Sequence, residues 1–185
     1  VLDIGTYFGD FLSLLDDDRP LYGTEINEQR VALSNEQFED DIVELGFRNG
    51  DLSRFEDDFA KNVVCMEVLE HVPDYEYALR ELCRVGSNRI LITVPYREQL
   101  TFKPCVHCQK PDPQMGHHHS FDETTILEIC PDGWKVSHQQ DFAKQLARVA
   151  LRTVSSYVLP HSLFRRIDRY APGNGKWLLV QLDIE

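Results

Sequence analysis

Short apolar runs alternate along the chain with stretches of helical spacing. Residues 1–5 form an apolar run with one acid and predict a buried strand. A glycine turn follows, and residues 8–15 carry a helix-like pattern. Residues 21–26 predict a second strand, residues 28–38 a helix, and residues 43–48 a short strand. The apolar residues 62–66 predict another strand. Tyr75, Ala78, Leu79 and Leu82 have helical spacing, and residues 89–95 have the β-branched interior of a strand. Beyond Tyr96 the periodicity breaks, and residues 97–120 are rich in Pro, Cys and His. Ser120 followed by Glu123 has the spacing of a capping box and predicts a helix from there to Ile129. Residues 134–142 predict a strand and residues 143–158 a basic amphipathic helix that Pro160 stops. Pro172-Gly173-Asn174-Gly175 is a turn before a closing strand at 176–184.

Strand–helix alternation at this spacing implies an α/β fold with a mostly parallel sheet covered on both faces. The 185 residues suit a single domain. A Cys/His loop at 97–120 and a basic helical segment at 143–175 are insertions in it. Because the chain opens inside a strand at Val1, an upstream segment is expected. The sequence contains no apolar run of membrane-spanning length and no signal-peptide pattern. Five cysteines, an odd number, suggest a reducing, cytoplasmic setting. The net charge of −12 argues against a nucleic-acid partner. The charge is uneven, however. Residues 143–176 hold seven basic residues and one acid. That segment reads either as a surface helix with its arginines in water, or as a contact for an anionic acceptor, a carrier or a membrane surface.

Four places carry candidate chemistry. In the turn Asp3-Ile4-Gly5-Thr6-Tyr7-Phe8-Gly9, glycine at a strand end lets a ligand approach the backbone. Amides at the following helix start favour a carboxylate, and Asp3 suits an ammonium group. The dinucleotide pattern G-x-G-x-x-G is absent. A plain strand–turn–helix corner is the bland alternative. Glu25 ends the second strand, where an acid accepts hydrogen bonds from ribose hydroxyls; in a chain this acidic it also reads as a solvated surface acid. Asp51, before Leu52, suits an adenine amino group. The fourth place is Glu67-Val68-Leu69-Glu70-His71-Val72, which follows an apolar strand.

In this order the motifs resemble class I S-adenosylmethionine-dependent methyltransferases of the group with an E-V-L-E-H-V motif after the fourth strand. The resemblance runs from Val1 to Tyr96. It implies a Rossmann-like, doubly wound, seven-stranded sheet, mostly parallel, with an antiparallel last strand. It also implies that Asp3, Gly5, Thr6 and Gly9 line the methionine part of S-adenosylmethionine. Glu25 and Ile26 would hold ribose and adenine, Asp51 and Leu52 would meet the adenine, and Glu67 would stand near the transferred methyl. The chain departs from the family at Tyr7, where glycine is usual. No residue is assigned as catalytic base.

Cys105-x-x-Cys108 followed by His117 and His119 supplies two sulfurs and two nitrogens, enough for a structural zinc. Two unpaired thiols in a polar loop, or a redox pair, are the alternatives. The function expected from these readings is methyl transfer to a small-molecule acceptor, such as a sugar or an anionic metabolite. A catalytically silent cofactor-binding relative and a zinc-stabilised interaction module are the other readings. Nothing in the sequence sets an oligomeric state.

Overall fold

The computed structural model describes residues 1–15, 20–38, 43–142 and 176–185. The apolar runs become strands: β1 (Leu2–Ile4), β2 (Tyr22–Glu25), β3 (Val43–Leu45), β4 (Ala60–Met66) and β5 (Gly86–Pro95). They pair in parallel in the order β3-β2-β1-β4-β5. Two later strands, β8 (Trp134–Phe142) and β9 (Trp177–Ile184), extend the sheet to seven strands as β5-β9-β8, with β9 antiparallel to both neighbours. This is the doubly wound, mostly parallel α/β sheet expected from the alternation of elements.

Helix α1 (Glu28–Asn35) starts where the Asn27 side chain accepts from the Arg30 amide at 3.1 Å. Helix α2 (Tyr75–Val85) starts at Asp74, whose carboxylate accepts from the Tyr77 amide at 2.9 Å. α2 buries Ala78, Leu79, Leu82 and Val85 against the core, where Leu2, Ile4, Val63, Ile90, Ile92 and Val180 are also buried. Burial of a leucine of this kind contributes about 1.5–3 kcal/mol. Strand order reverses on passing from β2 and β1 to β4. Ligands of open α/β sheets bind at the carboxyl ends of the strands beside such a reversal.

Three local expectations differ from the structure. Residues 8–15 are not an α-helix: turns lead to a short 3-10 segment, Leu12–Leu14, in which only Leu12 is buried. Leu14 is exposed, so the apolar spacing there has no surface to cover. α1 ends at Asn35, and turns carry the chain on to Phe38. The capping box at Ser120 is also absent. Asp122 accepts from the amides of Thr124 and Thr125, and only α3 (Thr125–Glu128) follows. Glu123, which that box would have needed, instead accepts from the Tyr96 hydroxyl and pairs with Arg97. The loop at 97–120 contains a small antiparallel hairpin, β6 (Phe102–Pro104) with β7 (Pro111–Pro113). The basic helix expected at 143–158, and with it most of the basic segment, lies outside the described residues.

Candidate active site

The turn after β1 needs its glycines. Gly5 and Gly9 have φ of +74° and +82°, a left-handed backbone that glycine adopts without steric cost. A Cβ on Gly5 would stand 2.5 Å from Cγ2 of Val68, so the β1 and β4 turns meet at that point. Tyr7 also has a left-handed backbone, with φ of +56°. For a side-chain-bearing residue this costs about 1–2 kcal/mol. The structure offsets that cost with contacts from β2 and α1. The Tyr7 amide donates to Oε2 of Glu25 at 3.1 Å, and its carbonyl accepts from the Ser34 hydroxyl at 2.9 Å. The Arg30 guanidinium lies over its ring, 4.3 Å from the centroid.

Glu25 is buried at the end of β2. Its Oε1 accepts from the amides of Ile26 and Asn27 at 2.9 and 3.0 Å. With the Tyr7 amide on Oε2, this carboxylate joins the first turn to the start of α1. Arg30 approaches it at 3.6 Å.

Gly5, Tyr7, Glu25, Ile26, Glu67, Val68 and His71 line a cavity of about 660 Å³, together with residues 46–49, Arg30, Val72 and Pro73. That volume lies within the range of cofactor and small-molecule sites. Of the residues expected to hold the cofactor, Gly5, Glu25, Ile26 and Glu67 meet on this wall. Asp3, Thr6 and Gly9 do not line it but shape the turn beneath. The Thr6 hydroxyl donates to the Asp3 carbonyl at 3.1 Å, and the Gly9 amide donates to the Thr6 carbonyl at 2.9 Å. Asp51 and Leu52 also stand off the wall. Asp51 is exposed and accepts from the Ser53 amide at 2.8 Å, whereas Leu52 is fully buried in the core. The turn before them supplies the wall, with Phe47 and Asn49 in left-handed conformations. Asn49 is a residue type that takes this conformation readily, and the G-F-R-N-G run was the available signal for it.

Buried carboxyl groups surround the site. Burial pushes the Asp3 carboxyl up to about 7, against a lowering hydrogen bond from Thr6. A raised folded-state value means the folded protein holds a proton that the unfolded chain releases. Stability from this group is therefore present at acidic pH and is lost as pH rises from about 4 to about 7. Asp3→Asn is expected to flatten that decline, as checked by urea midpoints at about pH 5 and pH 8. An unchanged slope would remove Asp3 as its source.

Glu67 directly follows β4 with φ of +56°, and its carboxylate accepts from the Thr93 hydroxyl at 2.9 Å. Burial pushes its carboxyl up, and hydrogen bonds from Thr93 and Trp177 pull it down. Glu70 is 1% exposed, and its Oε2 has no hydrogen-bond partner among the described residues. Burial raises this carboxyl to about 8, and the negative charges of Glu67 and Glu98 add to the rise.

The expected cysteine–histidine ligand set does not assemble. Cys105 and Cys108 lie at the tip of the β6–β7 hairpin as free thiols. There the Cys105 thiol is lowered by the amides of Cys108 and His107. His119 packs on Tyr75 and donates from Nε2 to the Pro73 carbonyl at 3.0 Å. His117 faces Glu98 and His71. Among the described residues, the one group of three or more metal-type ligands close together is Glu70, His71 and His117. Sequence reasoning passed over Glu70, although it sits within the E-V-L-E-H motif.

Residues 2–89 match a family model described as a methyltransferase domain. A comparison with the curated proteins finds no match. Solved structures similar to the chain include an Archaeoglobus fulgidus S-adenosylmethionine-dependent methyltransferase. It is 17% identical with a TM-score of 0.68, covering 98% of this chain and 84% of that one. A Mesorhizobium loti enzyme of the same description is 15% identical with a TM-score of 0.67, covering 98% and 89%. The methyltransferase of a Haloferax volcanii complex with the Trm112 methyltransferase activator is 20% identical. Its TM-score is 0.65, with 99% and 80% covered. Over residues 2–89 the chain is thus similar to a methyltransferase domain, and the solved structures share its fold. Among the described residues no helix is long and apolar enough to cross a membrane.

Proposed function

We propose that the chain transfers a methyl group from S-adenosylmethionine to a small-molecule acceptor, with sugars and anionic metabolites as the classes to test. The observation that carries this reading is that Gly5, Glu25 and Glu67 line one cavity at the carboxyl ends of β1, β2 and β4. The residues present fit the cofactor. The bare Gly5 backbone leaves room for its amino-acid end, Glu25 is an acceptor for ribose hydroxyls, and Ile26, Phe47 and Val68 give apolar walls for the base. When bound, the cofactor supplies an activated methyl on a sulfonium. The chain's own residues then have to orient the acceptor and exclude water, because alignment can supply much of the catalysis. Glu67 and His71 face the same cavity and are the groups placed to contact an acceptor there.

The test is calorimetry with S-adenosylhomocysteine. The expected result is one molecule bound per chain, and absence of binding overturns the reading. A second reading, cofactor binding without turnover, is favoured by Tyr7 on the cavity wall and by the amides already held on both Glu25 oxygens. Binding without transfer to any acceptor would select it. The activator-bound Haloferax relative supports repeating turnover assays with a partner protein present.

A further inference from the structure

We propose that Glu70, His71 and His117 form a binding site for a first-row divalent metal ion beside the cavity. One ligand atom from each lies within 4.8 Å of the other two. Tetrahedral zinc with bonds of about 2.0–2.1 Å needs its ligand atoms about 3.3 Å apart, so a modest inward movement of side chains completes the geometry.

Three independent features point to a cation. First, each imidazole is held at Nδ1. That of His71 donates to the Gly116 carbonyl at 3.1 Å, and that of His117 donates to Oε2 of Glu98 at 2.5 Å. A carbonyl and a carboxylate only accept, so each ring carries a proton on Nδ1, and Nε2 is the nitrogen that the neutral ring offers to a metal. Outer-shell hydrogen bonds of this kind set metal-ligating histidines in proteins. Second, Glu70 is a nearly fully buried carboxyl group whose Oε2 has no hydrogen-bond partner among the described residues. A buried polar atom left unpaired is costly, and a bound ion would supply the partner. Third, the backbone fixes the cluster from both sides. The His118 amide donates to the Glu70 carbonyl at 2.7 Å, which clamps the 117–119 segment onto the turn that holds Glu70 and His71.

Two imidazoles and a carboxylate suit zinc, iron, cobalt or nickel better than magnesium or calcium. Three protein ligands leave a coordination position open, as in catalytic rather than structural sites. His71 also lines the cavity, so an ion held here borders the space where an acceptor would enter. The cysteine hairpin takes no part. The site does not depend on the methyl-transfer reading, because metal binding can be measured without cofactor or acceptor.

The test is titration of the full chain, freed of metal, with Co²⁺, followed by its visible absorption, and with Zn²⁺ by calorimetry. One ion per chain is expected, with an N/O-ligand spectrum that lacks thiolate charge-transfer bands. Glu70→Gln and His117→Ala, checked for folding by circular dichroism, are expected to lose binding. Glu98→Gln, which loosens only the positioning of His117, should weaken it about 10–100-fold. Cys105→Ser should bind as the parent does. No binding, a thiolate spectrum lost in Cys105→Ser, or binding unaffected by both Glu70→Gln and His117→Ala would each overturn the proposal.

Discussion

Replacing Gly5 with alanine is expected to destabilise the protein by about 2–5 kcal/mol and to abolish S-adenosylhomocysteine binding. Two costs combine. The left-handed φ of +74° penalises any side-chain-bearing residue by about 1–2 kcal/mol. The new methyl would also stand 2.5 Å from Cγ2 of Val68. Valine is stiff about χ1, so it cannot simply swing away, and relief must come from a shift of the β1 or β4 turn, at about 1–3 kcal/mol. The two costs separate experimentally. In a Val68→Ala background the steric part should vanish, leaving about 1–2 kcal/mol by urea denaturation. An equal penalty in both backgrounds would show that the two turns do not meet as described.

The second large effect is expected from Glu25→Ala. It deprives three amides, those of Tyr7, Ile26 and Asn27, of their acceptor. Unsatisfied buried amides cost about 1–3 kcal/mol each, but these are part-buried and open onto the cavity, where water replaces part of the loss. A fall in stability of about 2–4 kcal/mol is therefore expected. The Arg30 contact at 3.6 Å adds little, since that side chain is well exposed. Affinity for S-adenosylhomocysteine should fall at least about tenfold, the equivalent of one lost hydrogen bond to a charged group. Calorimetry and denaturation of one preparation check both. Unchanged affinity alongside lost stability would assign Glu25 to holding the turn alone.

Elements whose apolar residues face a continuous core were legible in the sequence. Val63, Val64 and Cys65 in one run and Ile90, Ile92 and Val94 in the other are buried on the sheet, and α2 keeps its buried face over three turns. Residues 8–15 misled because Phe8, Phe11 and Leu14 imitate a stripe that the fold does not bury: the two phenylalanines are half-buried and Leu14 is exposed. Ser120 and Glu123 misled for another reason: Glu123 is drawn to Tyr96 and Arg97, which are distant in sequence. In the site, residues at strand ends were legible because strand position fixes which edge they reach. Gly5, Glu25 and Glu67 follow that rule. The pairing of His117 with Glu98 and His71 was not legible, since it depends on how a loop folds back over the E-V-L-E-H turn. Spacing alone grouped His117 with His119 and two cysteines, whereas side-chain bonds send His117 to Glu98 and His119 to the Pro73 carbonyl.

The placement of β9 bears on how the edge of the parallel sheet is closed. This strand is later in sequence than every other described element, yet it sits inside the sheet, pairing β5 on one side and β8 on the other. Among the described residues β9 alone covers this edge of β5, and it alone joins β8 to the sheet. Left uncovered, such an edge is open to pairing with other chains. The same strand brings Trp177 to the carboxylate of Glu67. One strand therefore serves both ligand recognition and protection of a sheet edge.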